Sequence, residues 1–72
     1  SQPLEALTLV LPYYRQPLML ARQVQEWEKF PPGVQIIVVD DGSPEPALEV
    51  LAHASAALRA RLRLYRITVD IP

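Results

Sequence analysis

The sequence predicts a parallel α/β sheet with the element order β-α-β-α-β, and three observations carry that prediction. Two apolar runs, "LTLVL" ending at Leu11 and "VQIIVV" ending at Val39, are nearly continuous rather than alternating, as in parallel strands covered on both faces. Each run is followed by a segment whose apolar residues recur at helical spacing. A third strand-like run, "RLRLYRITV", completes the order.

The first strand spans residues 6–11 and stops at Pro12; Thr8 is its one polar residue. Pro17 then opens a helix, because its fixed φ suits a first turn. Leu20, Ala21, Val24 and Trp27 give that helix, residues 17–29, one apolar face. "FPPG" ends it, with prolines that cannot continue a helix and Gly33 free to take positive φ. The second strand covers residues 34–39. Ser43 is the expected N-cap of the next helix, with Pro44 at its first position. Leu48, Leu51, Ala54 or Ser55, and Leu58 would form its apolar stripe. The third strand, residues 61–69, alternates Arg and Leu at its start, which predicts one wetter face.

Right-handed crossovers that step the same way give the sheet order 3-2-1 and put both helices on one face. The other face would then be bare, and the first strand would keep an unpaired edge. Because the first two strands are apolar on both sides, residues 1–72 are expected to be the first part of one larger domain.

Length, composition and charge narrow the function classes. A chain of 72 residues holds at most one domain and a small core, since it buries only about 60% of its unfolded surface. Half of the residues are hydrophobic, which argues against disorder. Cysteine is absent, so no disulfide or thiolate–zinc site braces the core, and a reducing compartment fits. Seven Lys and Arg oppose eight Asp and Glu, for a net charge of −1; no overall field favours nucleic acid. The apolar runs are too short to span a bilayer. Arg59, Arg61, Arg63 and Arg66 form a local basic cluster, expected to be a solvated face.

Ligands of open α/β sheets bind at the carboxyl ends of the strands. Here the loops are "PYYRQ", "DDGS" and "DIP", which bring two tyrosines, an arginine and three carboxylates. An aromatic ring stacks on a base, and a carboxylate accepts from a base N–H or a sugar hydroxyl. That chemistry suits a nucleoside. The dinucleotide fingerprint is absent, because the first strand-to-helix turn has no glycine, and so is the P-loop pattern. Alternation sends Tyr13 and Tyr14 to opposite sides, so that one of them belongs to the core. His53 and Trp27 are assigned no site role, Trp27 being core.

"LTLVLPYYRQP" followed by "QIIVVDDGSPEPALEVL" resembles the start of a family 2 glycosyltransferase. Members of that family open with a strand ending in Pro-x-Tyr-Asn and later carry a V-V-D-D-G-S segment followed by a helix. The resemblance covers residues 7–71 and implies the parallel βαβαβ nucleotide-binding half of a GT-A, Rossmann-like domain. It implies transfer of a sugar from a UDP-sugar or similar nucleotide sugar to a hydroxyl acceptor, which would be a glycan, a lipid or a small molecule. By the same resemblance Pro12, Tyr14 and Asp41 border the nucleotide base, Asp40 orients the loop, and Asp70 and Ile71 lie where the third-strand loop borders the base. Tyr13 and Arg15 complete the candidate cofactor-binding set. Arg15 stands where the family has asparagine, and is expected at the surface or beside phosphate.

The family's D-x-D motif, which would hold Mg²⁺ or Mn²⁺, and its catalytic base lie beyond position 72. No catalytic residue or metal ligand is therefore assigned within this segment, and residues 1–72 alone are expected to be inactive without the rest of the domain. The protein is expected to be cytoplasmic, in keeping with the absence of cysteine, with a peripheral position at the membrane as a variant. Two alternatives stand beside the resemblance. "IIVVDD" also resembles a receiver-domain strand whose acidic pair binds Mg²⁺ next to a phosphoacceptor; against this, a full strand–helix unit precedes the pair. The other is a non-catalytic nucleotide-binding module.

Overall fold

The computed structural model describes residues 7–68. Three parallel strands, β1 (Thr8–Tyr13), β2 (Gln35–Asp40) and β3 (Leu62–Arg66), form one sheet in the order β1-β2-β3. The first crossover carries α1 (Pro17–Trp27), and the second carries α2 (Ala47–Leu51) and α3 (Ala56–Arg59). Strand order and direction agree with the 3-2-1 arrangement expected from right-handed connections.

All three helices lie on one face of the sheet. Their Leu20, Val24, Trp27, Leu51 and Leu58 pack with Ile36 and Val38 of β2, and Leu9, Leu11, Leu62 and Leu64 flank this core. The opposite face carries Val10, which is 62% exposed, and Tyr65, which is 53% exposed, with Ile37 and Val39 half-buried between them. Among the described residues nothing covers that face. No helix among them is long and apolar enough to cross a membrane.

The first strand does not stop at Pro12. The Gln35 N–H donates to the Leu7 carbonyl at 3.0 Å, and the Asp41 N–H donates to the Tyr13 carbonyl at 3.0 Å. Odd-numbered residues of β1 therefore face β2, and Pro12 turns its ring nitrogen to the open edge. A proline there costs no ladder hydrogen bond, so the strand runs on to Tyr13.

The second helix differs from its expected form in two ways. It starts at Ala47 after an extended Pro46, because the Ser43 and Ala47 N–H groups are both taken by the Asp40 carboxylate. It also ends at Leu51, and the chain becomes helical again only after Ser55. That residue caps α3 by accepting the Leu58 N–H on its hydroxyl oxygen at 3.1 Å, and Glu28 accepts both its hydroxyl (2.6 Å) and its N–H (2.9 Å). The buried stripe is Ala47, Leu51, Ala54 and Leu58, whereas Leu48 points outward at 62% exposure. Gly33 does not use positive φ; among the glycines Gly42 does.

The basic cluster is dispersed by the fold. Arg61 is buried, and its guanidinium donates to the carbonyls of Trp27 (3.3 Å), Phe30 (3.3 Å) and Pro31 (2.6 Å). A cation at a helix C-terminus satisfies orphan carbonyls and complements the helix dipole. Arg66 donates to the Ser43 carbonyl at 2.8 Å, while Arg59 and Arg63 are exposed. Replacing Arg61 with alanine removes all three hydrogen bonds and strands the Phe30 carbonyl, whereas the Trp27 and Pro31 carbonyls keep the N–H groups of Phe30 and Val34. Arg61→Ala is expected to lower the unfolding free energy by about 1–3 kcal/mol, measured by chemical denaturation, whereas Arg63→Ala is expected to change it by less than about 0.5 kcal/mol.

Candidate functional site

The loops after β1 and β2 are tied into one structure at the carboxyl end of the sheet. Alternation along β2 puts Ile36, Val38 and Asp40 on the buried side, so the strand delivers a carboxylate with no solvent exposure under the helices. Its Oδ1 accepts the Ser43 N–H at 3.0 Å and its Oδ2 accepts the Ala47 N–H at 2.9 Å. Burial pushes the Asp40 carboxyl up. The N–H groups of Ala47 and Ser43, the Ser43 hydroxyl and the Arg66 guanidinium together outweigh that, and its pKa lies below the ordinary 3.8. Asp40 is thus an ionised internal cap for the loop and for α2.

Ser43, fully buried, ties the neighbouring loops together. Its hydroxyl oxygen accepts the Arg15 N–H at 3.0 Å, from the loop after β1. Its carbonyl accepts from Arg66 at the end of β3. The Ile67 N–H meanwhile donates to the Asp40 carbonyl at 2.8 Å. Gly42, at φ 68, makes the turn between the two anchored residues, and a Cβ there would lie 3.2 Å from the Ile67 carbonyl oxygen. Arg15 also has positive φ, 53°, a conformation that costs a residue with a Cβ roughly 1–2 kcal/mol. Its hydrogen bond to Ser43 holds it there.

What this scaffold presents is Asp41 and Tyr14. Asp41 is exposed, and no side-chain hydrogen bond or ion pair engages its carboxylate among the described residues. Two open depressions flank it. One, of about 350 Å³, is bordered by Tyr14, Asp41, Gly42 and Arg66. The other, of about 360 Å³, is bordered by Pro12, Tyr13, Tyr14, Gln16, Met19 and Asp41. Tyr14 is 52% exposed and belongs to both. The Arg15 guanidinium carbon lies 5.8 Å from the centre of its ring.

The two tyrosines divide as alternation requires. Tyr13 is buried with the helices at 1% exposure, and its hydroxyl has no hydrogen-bond partner among the described residues. Burial pushes the Tyr13 phenol up from its ordinary 10.0; the Gln16 backbone amide opposes this, and the carboxylates of Asp40 and Glu45 add to it. The structure therefore brings Pro12, Tyr14 and Asp41 to one exposed rim, sets Arg15 beside Tyr14 on a neighbouring depression with Pro17, Pro44 and Glu45, and puts Tyr13 and Asp40 beneath the rim. Asp70 and Ile71 lie outside the described residues. Ser43, Gly42 and Arg66 are the site-building residues that sequence reasoning missed. Ser43 reads from sequence as a helix cap and Arg66 as part of a basic face; the structure places both in the scaffold beneath the rim.

Among the described residues no three His, Cys, Asp or Glu side chains are grouped to hold a metal ion. Asp40 has given both oxygens to backbone N–H groups. The described residues thus do not fit a metal centre. Comparison of the chain with protein-family models, with curated proteins and with solved structures found no match.

Two outcomes follow from this geometry. Asp40→Ala strands two N–H groups beneath the loop and is expected to cost at least about 1–3 kcal/mol of stability. Because the folded pKa of Asp40 lies below its ordinary value, the stabilisation is complete above that value and fades as pH falls through it toward the folded pKa. Denaturation curves across the acid range should therefore show a shallower loss of stability in the variant. Gly42→Ala, forced to positive φ against the Ile67 carbonyl, is expected to cost about 1–2 kcal/mol in the same measurement.

Proposed function

We propose that this chain is the nucleoside-binding half of a nucleotide-sugar-dependent glycosyltransferase, an N-terminal part of a GT-A domain acting in the cytoplasm. The observation that carries the reading is the exposed, unengaged Asp41 carboxylate beside the exposed Tyr14 ring, at the carboxyl end of a parallel sheet. In this reading the nucleotide base lies against Tyr14, and Asp41 accepts a hydrogen bond from a base N–H such as the imide of uracil. Pro12 borders the base from the adjoining depression. Asp40 does not touch the ligand; it fixes the loop so that Asp41 is aimed before the ligand arrives, which lowers the ordering cost of binding.

The partners in this proposal are a UDP-sugar or similar donor, a hydroxyl acceptor and the remainder of the domain. The base that activates the acceptor, and the D-x-D segment with its divalent ion, belong to that remainder. The receiver reading is less well supported, because it asks the acidic pair to ligate Mg²⁺ while both Asp40 oxygens already hold backbone N–H groups.

The test is calorimetric titration of UDP into the intact protein. Asp41→Ala is expected to weaken UDP binding by about 1–3 kcal/mol, the range for leaving a donor without its acceptor, with little change in stability because Asp41 is exposed. Unchanged affinity in that variant would remove Asp41 from the site.

A further inference from the structure

We infer that Arg15 is the residue that recognises the phosphate of the bound nucleotide, so that the site takes a phosphorylated nucleoside in preference to a free one. The inference rests on the nucleoside reading of Tyr14 and Asp41 given above, and extends it to the charged part of the ligand.

Position is the first argument. Arg15 directly follows Tyr14, and its guanidinium carbon stands 5.8 Å from that ring's centre. A base stacked on Tyr14 would bring its ribose and phosphates past this cation. Planar guanidinium groups stack on aromatic rings while keeping N–H donors free for phosphate oxygens.

Backbone geometry is the second. Arg15 occupies left-handed φ of 53°, where arginine has no intrinsic preference. Its N–H is anchored on the Ser43 hydroxyl, and Ser43 is held by the buried Asp40. The base of the Arg15 side chain is thus fixed to the same loop that aims Asp41. A strained conformation that its surroundings over-determine marks a place where function sets the geometry.

The third argument is charge. Arg15 is exposed and has no carboxylate partner among the described residues. Glu45 borders a shallow depression of about 170 Å³ with Arg15, Pro17 and Pro44, yet makes no ion pair with it. The other cation at this end of the sheet, Arg66, already gives one N–H to the Ser43 carbonyl. The turn from β1 to α1 contains no glycine and so offers no phosphate-cradling loop. Among the described residues Arg15 is the uncommitted cation beside Tyr14.

Titration of uridine and of UDP into the intact protein, with a chelator present to remove divalent ions, tests the inference. The variant of choice is Arg15→Gly, because glycine adopts φ 53° without strain and the loop keeps its path. The wild type is expected to bind UDP more tightly than uridine, and added salt should shrink that difference. Arg15→Gly should weaken UDP about tenfold or more, as expected for loss of a charged hydrogen bond, and leave uridine unchanged. Arg15→Lys should recover part of the loss, keeping charge without the planar fork. Equal weakening of both ligands in Arg15→Gly would make Arg15 a loop-shaping residue and overturn the inference; no weakening of either would do the same. If the wild type binds uridine but gains nothing from the diphosphate, the nucleoside reading stands and the Arg15 inference falls. If it binds neither, the nucleoside reading itself fails.

Discussion

A buried carboxylate organises the end of this sheet. Asp40 is carried inside by the alternation of β2, behind Ile36 and Val38. An ionised group there is costly unless its oxygens are filled, and the Ser43 and Ala47 N–H groups fill them. That one requirement fixes where α2 starts and why the chain turns at Gly42. It also fixes the position of Ser43, through which Arg15 and Arg66 are drawn to the same point. The exposed rim depends on it in turn. Asp41 and Tyr14 project from backbones that the buried hydrogen bonds hold in place.

The rest of the fold is less constrained. One face of the sheet is sealed by three helices and the other displays Val10 and Tyr65 among half-buried Ile37 and Val39. The core is correspondingly thin, and single polar anchors acquire weight within it. Arg61 closes the C-terminal end of α1 against three carbonyls, and Glu28 braces the cap of α3 through Ser55. Both link helices to segments roughly thirty residues away in the chain, where few apolar contacts are available to do so.

Much of the architecture was legible because it follows from apolar patterning. The three strands, the first helix and the sheet order rest on runs such as Ile36–Val39 and on the helical spacing of Leu20, Val24 and Trp27. The split of Tyr13 from Tyr14 followed from strand alternation. The same alternation, carried one residue further along β2, separates the buried Asp40 from the exposed Asp41. What was not legible depended on partners distant in sequence. Pro12 fits within β1 only because its nitrogen faces the open edge, which needs the register to be known. The Ser43 hydroxyl could have capped a helix, and the Arg15 N–H took it instead. The break before α3 likewise depends on a distant partner, because Glu28 holds both the N–H and the hydroxyl of Ser55. Asp70 and Ile71 lie outside the described residues, and their part in the site rests on the family resemblance.

The proposed nucleotide site lies at the carboxyl end of β1 and β2, on a loop pre-shaped by Asp40. Amide chemical-shift mapping of the intact protein during addition of UDP tests it most directly. Saturable shifts are expected at Tyr14, Arg15, Asp41 and Gly42, with the Ser43 and Ala47 amides protected from hydrogen exchange before and after binding alike. Shifts centred on the helix layer around Leu18 and Val50, or no shifts at all, would contradict it.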